Sequence, residues 1–314
     1  MSLLDDNQNP PPDPAPEQTE APQPIVNAGE TTADAHPGDA PSYAAPDSVP
    51  IPPSPPQRVY PEDLQISWGW LHFIVSILYA LGSLFFIQGG LAIYYLPKQK
   101  LSQQQIEQYL LSKPQFVIGS LLIWYAAVFF FLYITLSLLR GQPFWRSLGW
   151  RSIKPQASGR RRNPLLFVFS GCLLSIFVAI VTSRMKAPEN LPVEEFFKHR
   201  ESAVLFMAMA VLVAPLVEET LFRGYLYPLF ARTFGGFFGI VLTGVLFGLM
   251  HGYQLGWTPT LVAVLITVGI VFTLVRARTG SVLASYLMHL GYNSFIAIIT
   301  VAATHGFTEV PKAQ

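Results

Sequence analysis

Glu218, Glu219 and Arg223 stand in VAPLVEETLFRGYL, residues 213–226, inside a long apolar stretch. A charged side chain near a bilayer centre costs about 2.5–3.5 kcal/mol on insertion scales, so three together need either local compensation or a chemical task. Some compensation lies in the spacing, because Glu219 and Arg223 are four residues apart and can pair along one helical face. Glu218 then points about 100° away from that pair. These glutamates are the only acidic residues between positions 202 and 308. Two histidines also fall in apolar runs, His251 in VLFGLMHGY and His289 in ASYLMHLGYNSF, and Asn293 follows His289 by four residues on the same face. Carboxylates in differing surroundings can divide acid and base roles between them. The same groups would suit a proton relay across a membrane. They would also suit a zinc site with Glu218, His251 and His289 as ligands and water in an open position. HExxH, the usual helical zinc signature, is absent.

The elements that must carry these groups are long and apolar. A span needs about 20 mostly apolar residues. Runs occur at 67–96, 115–139, 164–183, 203–231, 234–252, 258–276 and 281–303. They predict an all-α, polytopic bundle of seven transmembrane helices, or eight if 203–252 breaks differently. The segment NLPVEEFFKHRE, 190–201, reads as a surface helix. The fourth and fifth spans form a hairpin turning at TFGG, 233–236, with Glu218 and His251 each fifteen residues from it. Equal arms put both at the same depth, about 22 Å from the turn. His289 starts from the same side and lies about 12–15 Å in, so the depths agree if the hairpin projects a turn or two beyond the membrane. Gly235 and Gly239, then Gly244, Gly248 and Gly252, give the fifth span small faces for close helix packing.

Composition agrees. The 314 residues are 51% hydrophobic and only 12% charged, with mean hydropathy +0.38, whereas soluble domains carry about 25% charged residues. The formal net charge of +1 hides an asymmetry: residues 1–57 hold nine acidic residues and no Lys or Arg. Fifteen of the 27 prolines lie in residues 10–56, so 1–60 is expected to be a disordered, acidic, Pro-rich tail. The start MSLLDDNQNP lacks an apolar core segment, so no signal peptide is expected. The single Cys172 excludes a disulfide framework. Four domains follow: the tail 1–60, N-terminal helices with a basic loop over 61–202, a transmembrane core over 203–303 that holds the candidate chemical groups, and a short tail 304–314. Arg140, Arg146, Arg151, Lys154 and Arg160–Arg162 make the loop 140–163 the best cytoplasmic candidate. Alternation then puts Arg232, Arg276, Arg278 and the N-terminal tail on that side. The opposite loops are also basic, with Lys98, Lys100 and Lys113 in one and Arg184, Lys186, Lys198 and Arg200 in the other. A nucleic-acid role for the arginine run explains less than topology does, so no nucleic-acid partner is expected. His36, His72, His199 and His305 receive no role.

The sequences EETLFRG (Glu218, Glu219, Arg223), FGLMH (Phe247, His251) and HLGYN (His289, Asn293) resemble the motifs EExxxR, FxxxH and HxxxN of the CPBP family. These are the CaaX-protease and bacteriocin-processing intramembrane proteases, also called the ABI family. The resemblance covers residues 203–303 and implies an endopeptidase with a water-activating glutamate. Glu219, paired with Arg223, is expected to stay ionised and structural, leaving Glu218 as the base. By the same resemblance His251 holds the water, and His289 and Asn293 donate N–H groups to the oxyanion. The implied site is metal-free, with no cofactor; zinc on Glu218, His251 and His289 is the alternative. The implied substrate is a membrane-anchored peptide or protein in the lipid bilayer, with a prenylated CaaX-type end among the candidates. Two other functions use the same residues: a proton- or ion-coupled transporter, and a non-proteolytic immunity or scaffold member of the family. The chain has one EExxxR motif and no second copy, which argues against the repeated architecture of many transporters.

Overall fold

Apolar periodicity and proline placement account for most helix starts. The computed structural model describes residues 60–95, 113–153, 162–185 and 191–308, with a few positions between them. The expected tail up to residue 59 lies outside the described residues, as do Lys98, Lys100, Lys154, Arg160, Arg161, Lys186 and residues 309–314. Helix α1 is Trp70–Tyr95, α2 is Pro114–Leu132 and the short α3 is Phe144–Ser147. Helix α4 is Pro164–Thr182, and a 3-10 turn covers Pro192–Phe197. Four more helices complete the bundle: α5, Arg200–Phe234; α6, Gly236–Met250; α7, Pro259–Thr279; and α8, Val282–Ala303. Pro114, Pro164 and Pro259 open α2, α4 and α7, where a missing N–H leaves no orphan donor. Gly280, at φ 66°, closes α7 in the left-handed conformation that glycine adopts without strain.

Among the described residues six helices are long and apolar enough to cross a membrane, and the protein is an all-helical, multi-pass membrane protein. The fifth expected span, 234–252, is the exception. Helix α6 has 15 residues, short of the roughly 20 that a full crossing needs. The expected run reaches Gly252, but the helix ends at Met250, and His251 and Gly252 open a turn that reaches Trp257, with Gly256 at φ 55°. The region 190–201 is likewise a 3-10 turn followed by the start of α5, rather than a separate surface helix.

Helix α5 is not uniformly α. Its backbone widens into π-turns at Met209–Val213 and Glu219–Leu226, each ending two residues before a proline, Pro215 and Pro228. A proline inside a helix removes an N–H and presses its ring on the carbonyl four residues back. Adding one residue to the turn relieves that clash, and such bulges are frequent at functional sites. The second bulge carries Glu219 and Arg223 of EExxxR and begins directly after Glu218.

Glycines permit the closest helix contacts. A Cβ on Gly244 would lie 2.7 Å from Ile270 N, and one on Gly248 would lie 2.6 Å from Ile266 N, so α6 and α7 pack backbone to backbone. Gly171 and Gly291 do the same for α4 and α8, where added Cβ atoms would strike Met288 O and Val168 O.

One end of the bundle is closed by the segment before α1. Arg140 Nη1 donates to Ser67 O at 2.5 Å, and Arg232 Nη1 donates to Ile66 O at 3.0 Å. Arg146 and Arg151 lie 3.3 Å and 2.8 Å from Glu62 Oε1. These arginines therefore share one end, as alternation requires. Arg276, the last residue of the expected run 258–276, is buried rather than set at a helix end. Helix α7 continues to Thr279, so Arg276 lies within it, 1% exposed and 3.1 Å from Asp63 Oδ2.

Candidate active site

The innermost charges are Glu219 and Arg223, both completely buried. Their i,i+4 spacing brings Arg223 Nη1 to 3.0 Å from Glu219 Oε1. Helix α7 supplies the other partners of the guanidinium: Nε donates to Thr273 Oγ1 at 3.2 Å and Nη2 to Gly269 O at 2.9 Å. The cation also lies 4.4 Å from the Phe247 ring centroid and 5.4 Å from that of Phe272. With an ion partner, two neutral acceptors and two aromatic faces, this buried charge is fully compensated.

Helix α8 joins through His289, which is 3% exposed. Its Nδ1 lies 3.0 Å from Glu219 Oε1. A carboxylate only accepts, so Nδ1 is the donor and Glu219 fixes the tautomer. The opposite nitrogen, Nε2, lies 3.9 Å from Glu218 Oε2. His251, at the C-terminal end of α6, is set in a parallel way. Its Nδ1 donates to Phe247 O at 2.8 Å, and its Nε2 lies 3.8 Å from Glu218 Oε1. Each oxygen of Glu218 thus faces one imidazole Nε2 across a gap too long for a direct hydrogen bond, and separations of this size are commonly bridged by water. The Glu218 side chain is 16% exposed and that of His251 is 19% exposed, against none for Glu219. Glu218 is the open carboxylate of the two.

Asn293 occupies a different position. Its Nδ2 donates to Ala210 O at 2.7 Å. In the first π-turn the N–H of Ala214 goes to Met209 O. The residue five beyond Ala210 is Pro215, which has no N–H to offer. Asn293 satisfies the carbonyl that this proline orphans. Among the described residues no hydrogen bond joins it to Glu218, His251 or His289. One of its two amide protons is therefore committed to the backbone of α5. Phe247, 2% exposed, packs beside both histidines, with ring centroids 4.7 Å from His251 and 5.8 Å from His289.

Motif reading missed α7 entirely. Gly269, Phe272 and Thr273 hold Arg223 and stack on His289, with Phe272 and His289 centroids 4.6 Å apart. Their one sequence signal is the pair Gly269 and Thr273, four apart in an apolar run. Among the described residues no group of three His, Cys, Asp or Glu side chains is arranged to hold a metal ion. Two residues beyond His251, Tyr253 helps line a mostly apolar cavity of about 530 Å³, with Val117, Ile118, Leu121, Phe206 and Met209.

Residues 200–295 match the family model of Rce1-like, type II CAAX prenyl endopeptidases. The match includes Glu218, Glu219, Arg223, Phe247, His251, His289 and Asn293, and it stops short of α1 to α4 and of the end of α8. No curated protein and no solved structure matches this chain.

Proposed function

We propose that this chain, a member of the CAAX-protease family through residues 200–295, is a membrane-embedded endopeptidase in which Glu218 activates the attacking water. The observation that carries the reading is the position of Glu218, 3.8 Å from His251 Nε2 and 3.9 Å from His289 Nε2. Glu219, by contrast, is fully buried, with Oε1 bound to both Arg223 and His289. A water between Glu218 and His251 can donate one proton to each group, which turns its lone pairs toward a substrate carbonyl. Glu218 takes a proton as the water oxygen bonds to the carbonyl carbon. It returns that proton to the departing amine when the C–N bond breaks.

The tetrahedral oxyanion needs donors. His289 gives Nδ1–H to Glu219, so its Nε2 donates only when the ring carries both protons. Asn293 offers its second amide proton, with the first holding Ala210 O. We read the site as metal-free. The substrate would be a membrane-anchored peptide or protein, with a prenylated CaaX-type end as the leading candidate. The loop 140–163 would lie in the cytoplasm on the strength of its Arg and Lys residues, and alternation would put the N-terminal tail on the same side.

The test compares wild type with Glu218→Gln in proteoliposomes on a quenched peptide panel, prenylated and unprenylated, with and without a chelator. Removing a general base costs about 10²–10⁴ in rate, so cleavage should fall by that factor while thermal melting is unchanged. Equal cleavage by both proteins would remove Glu218 as the base. Loss of wild-type cleavage on chelation would replace the metal-free reading with a zinc one.

A further inference from the structure

The π-turn that holds Glu219 and Arg223, and follows directly on Glu218, is gripped from outside the family-matched segment. Tyr225, 4% exposed, lies near its C-terminal end. Trp68 stacks on the Tyr225 ring at 5.2 Å between centroids, and its Nε1 donates to Tyr225 O at 3.2 Å. The Tyr225 hydroxyl lies 2.7 Å from His72 Nδ1 and 3.0 Å from Ser76 Oγ, both on α1. His72 Nε2 in turn lies 2.9 Å from Thr135 Oγ1, whose own proton goes to Phe131 O at 2.8 Å. With the threonine proton committed, His72 Nε2–H must donate, which leaves Nδ1 to accept from Tyr225. The chain of bonds is therefore directional: Tyr225 to His72, His72 to Thr135, Thr135 to the backbone. Thr135 belongs to the π-turn Tyr133–Leu138 that ends α2. Two irregular turns on different helices are tied together through one histidine.

A second grip comes from the segment after α3. Trp150 Nε1 donates to Thr220 Oγ1 at 3.0 Å, and a Cβ on Gly224 would lie 2.5 Å from Leu148 O. A π-turn has weaker internal register than an α-turn, so its geometry must be fixed by neighbours.

Resting on the endopeptidase reading above, we infer that His72 and Tyr225 are positioning residues, whose hydrogen-bond chain to Thr135 fixes the register of the π-turn and hence the aim of Glu218 at His251 and His289. They touch none of the reacting groups and act through the backbone of α5. The N-terminal helices are then part of the catalytic apparatus, beyond anchoring it in the bilayer.

The test uses the full chain in nanodiscs, with Tyr225→Phe, His72→Leu and His72→Asn. Asparagine keeps an acceptor where Nδ1 stands, and leucine keeps more apolar bulk. With the quenched peptide that wild type cleaves, kcat should fall about tenfold in Tyr225→Phe and His72→Leu, with KM steady, because misplaced groups lower the rate without loosening substrate. His72→Asn should recover most of that loss. A packing role would instead favour leucine, and leucine matching or exceeding asparagine would overturn the proposal. Hydrogen exchange gives a readout that needs no cleavage. Amides of 219–228 should exchange faster in Tyr225→Phe and His72→Leu, while α7 and α8 stay as in wild type. Unchanged exchange there would also overturn it. If wild type and Glu218→Gln behave alike on every peptide, the endopeptidase reading fails, and the exchange pattern alone decides the positioning role.

Discussion

Two arginines lie buried in membrane helices of this protein, and they are held in opposite ways. Arg223 is 0% exposed and takes its partners, Glu219, Gly269 and Thr273, from inside the family-matched segment. Arg276 is 1% exposed and takes both its hydrogen bonds from Asp63, in the lead-in to α1. Every nitrogen of Arg223 has a bond, whereas the buried Nε of Arg276 has none. Glu219 is fully buried, and the Asp63 side chain is 13% exposed at the rim. A charge can be kept in a membrane bundle by complete internal satisfaction or by a strap reaching in from the end. The first arrangement leaves the partner with no route to water; the second does not.

The largest effect should therefore follow Arg223→Met. It strands Glu219 with only His289 beside it, and breaking a buried pair from one side costs about 3–5 kcal/mol. We expect a chain that accumulates poorly and melts well below wild type, and no cleavage. Arg223→Met with Glu219→Gln should recover most of the melting temperature and none of the cleavage, because His289 has then lost its orienting charge. Melting in detergent and peptide cleavage check the two halves. A stable, active Arg223→Met would end the account of a site built on a compensated pair.

The same contrast sets what the sequence makes legible. The pairing of Glu219 with Arg223 follows from spacing alone, since a helix puts residues four apart on one face. The helices themselves follow from apolar runs, with the exception that a run cannot distinguish α6 from the apolar turn after it. His251 and Gly252 belong to the expected run 234–252 without belonging to the helix. The link of Asp63 to Arg276 spans 213 positions and has no local pattern. His72, given no role from its place in the first span, bridges two π-turns for the same reason. Asn293 shows a finer shortfall. Its place after His289 is legible, but the carbonyl it satisfies is orphaned by Pro215 on another helix. Pro215 and Pro228 do mark the π-turns in the sequence. What they mark, an extra residue per turn rather than a kink, depends on neighbours that propensity does not count.

The second effect in size should be Arg276→Met. It removes a cation whose bonds go to Asp63 alone, and Asp63 can turn toward water once released. Stability should fall by about 1–2 kcal/mol, less than at Arg223, because no carboxylate is left sealed in the core. Arg276 lies on the helix that supplies Gly269 and Thr273, two and one turns closer to the site, so cleavage should drop modestly. Loss as severe as at Arg223 would mean that the strap, rather than the inner pair, holds α7 in place.

The smallest effect should be Asp63→Asn. The amide oxygen can still accept from Arg276 Nη1, and the bond from Nη2 to the Asp63 carbonyl at 3.0 Å belongs to the backbone and survives. Only the charge is lost, at a position with access to solvent, so the cost should be about 1 kcal/mol or less. Cleavage should match wild type. Combining Asp63→Asn with Arg276→Met closes a cycle, and residues in contact should show a coupling of about 0.5–1 kcal/mol. A coupling near zero would make the ion pair incidental and leave the backbone bond as the strap. A coupling as large as that between Glu219 and Arg223 would erase the distinction between rim and core, because it would require Asp63 to be as closed to water as Glu219.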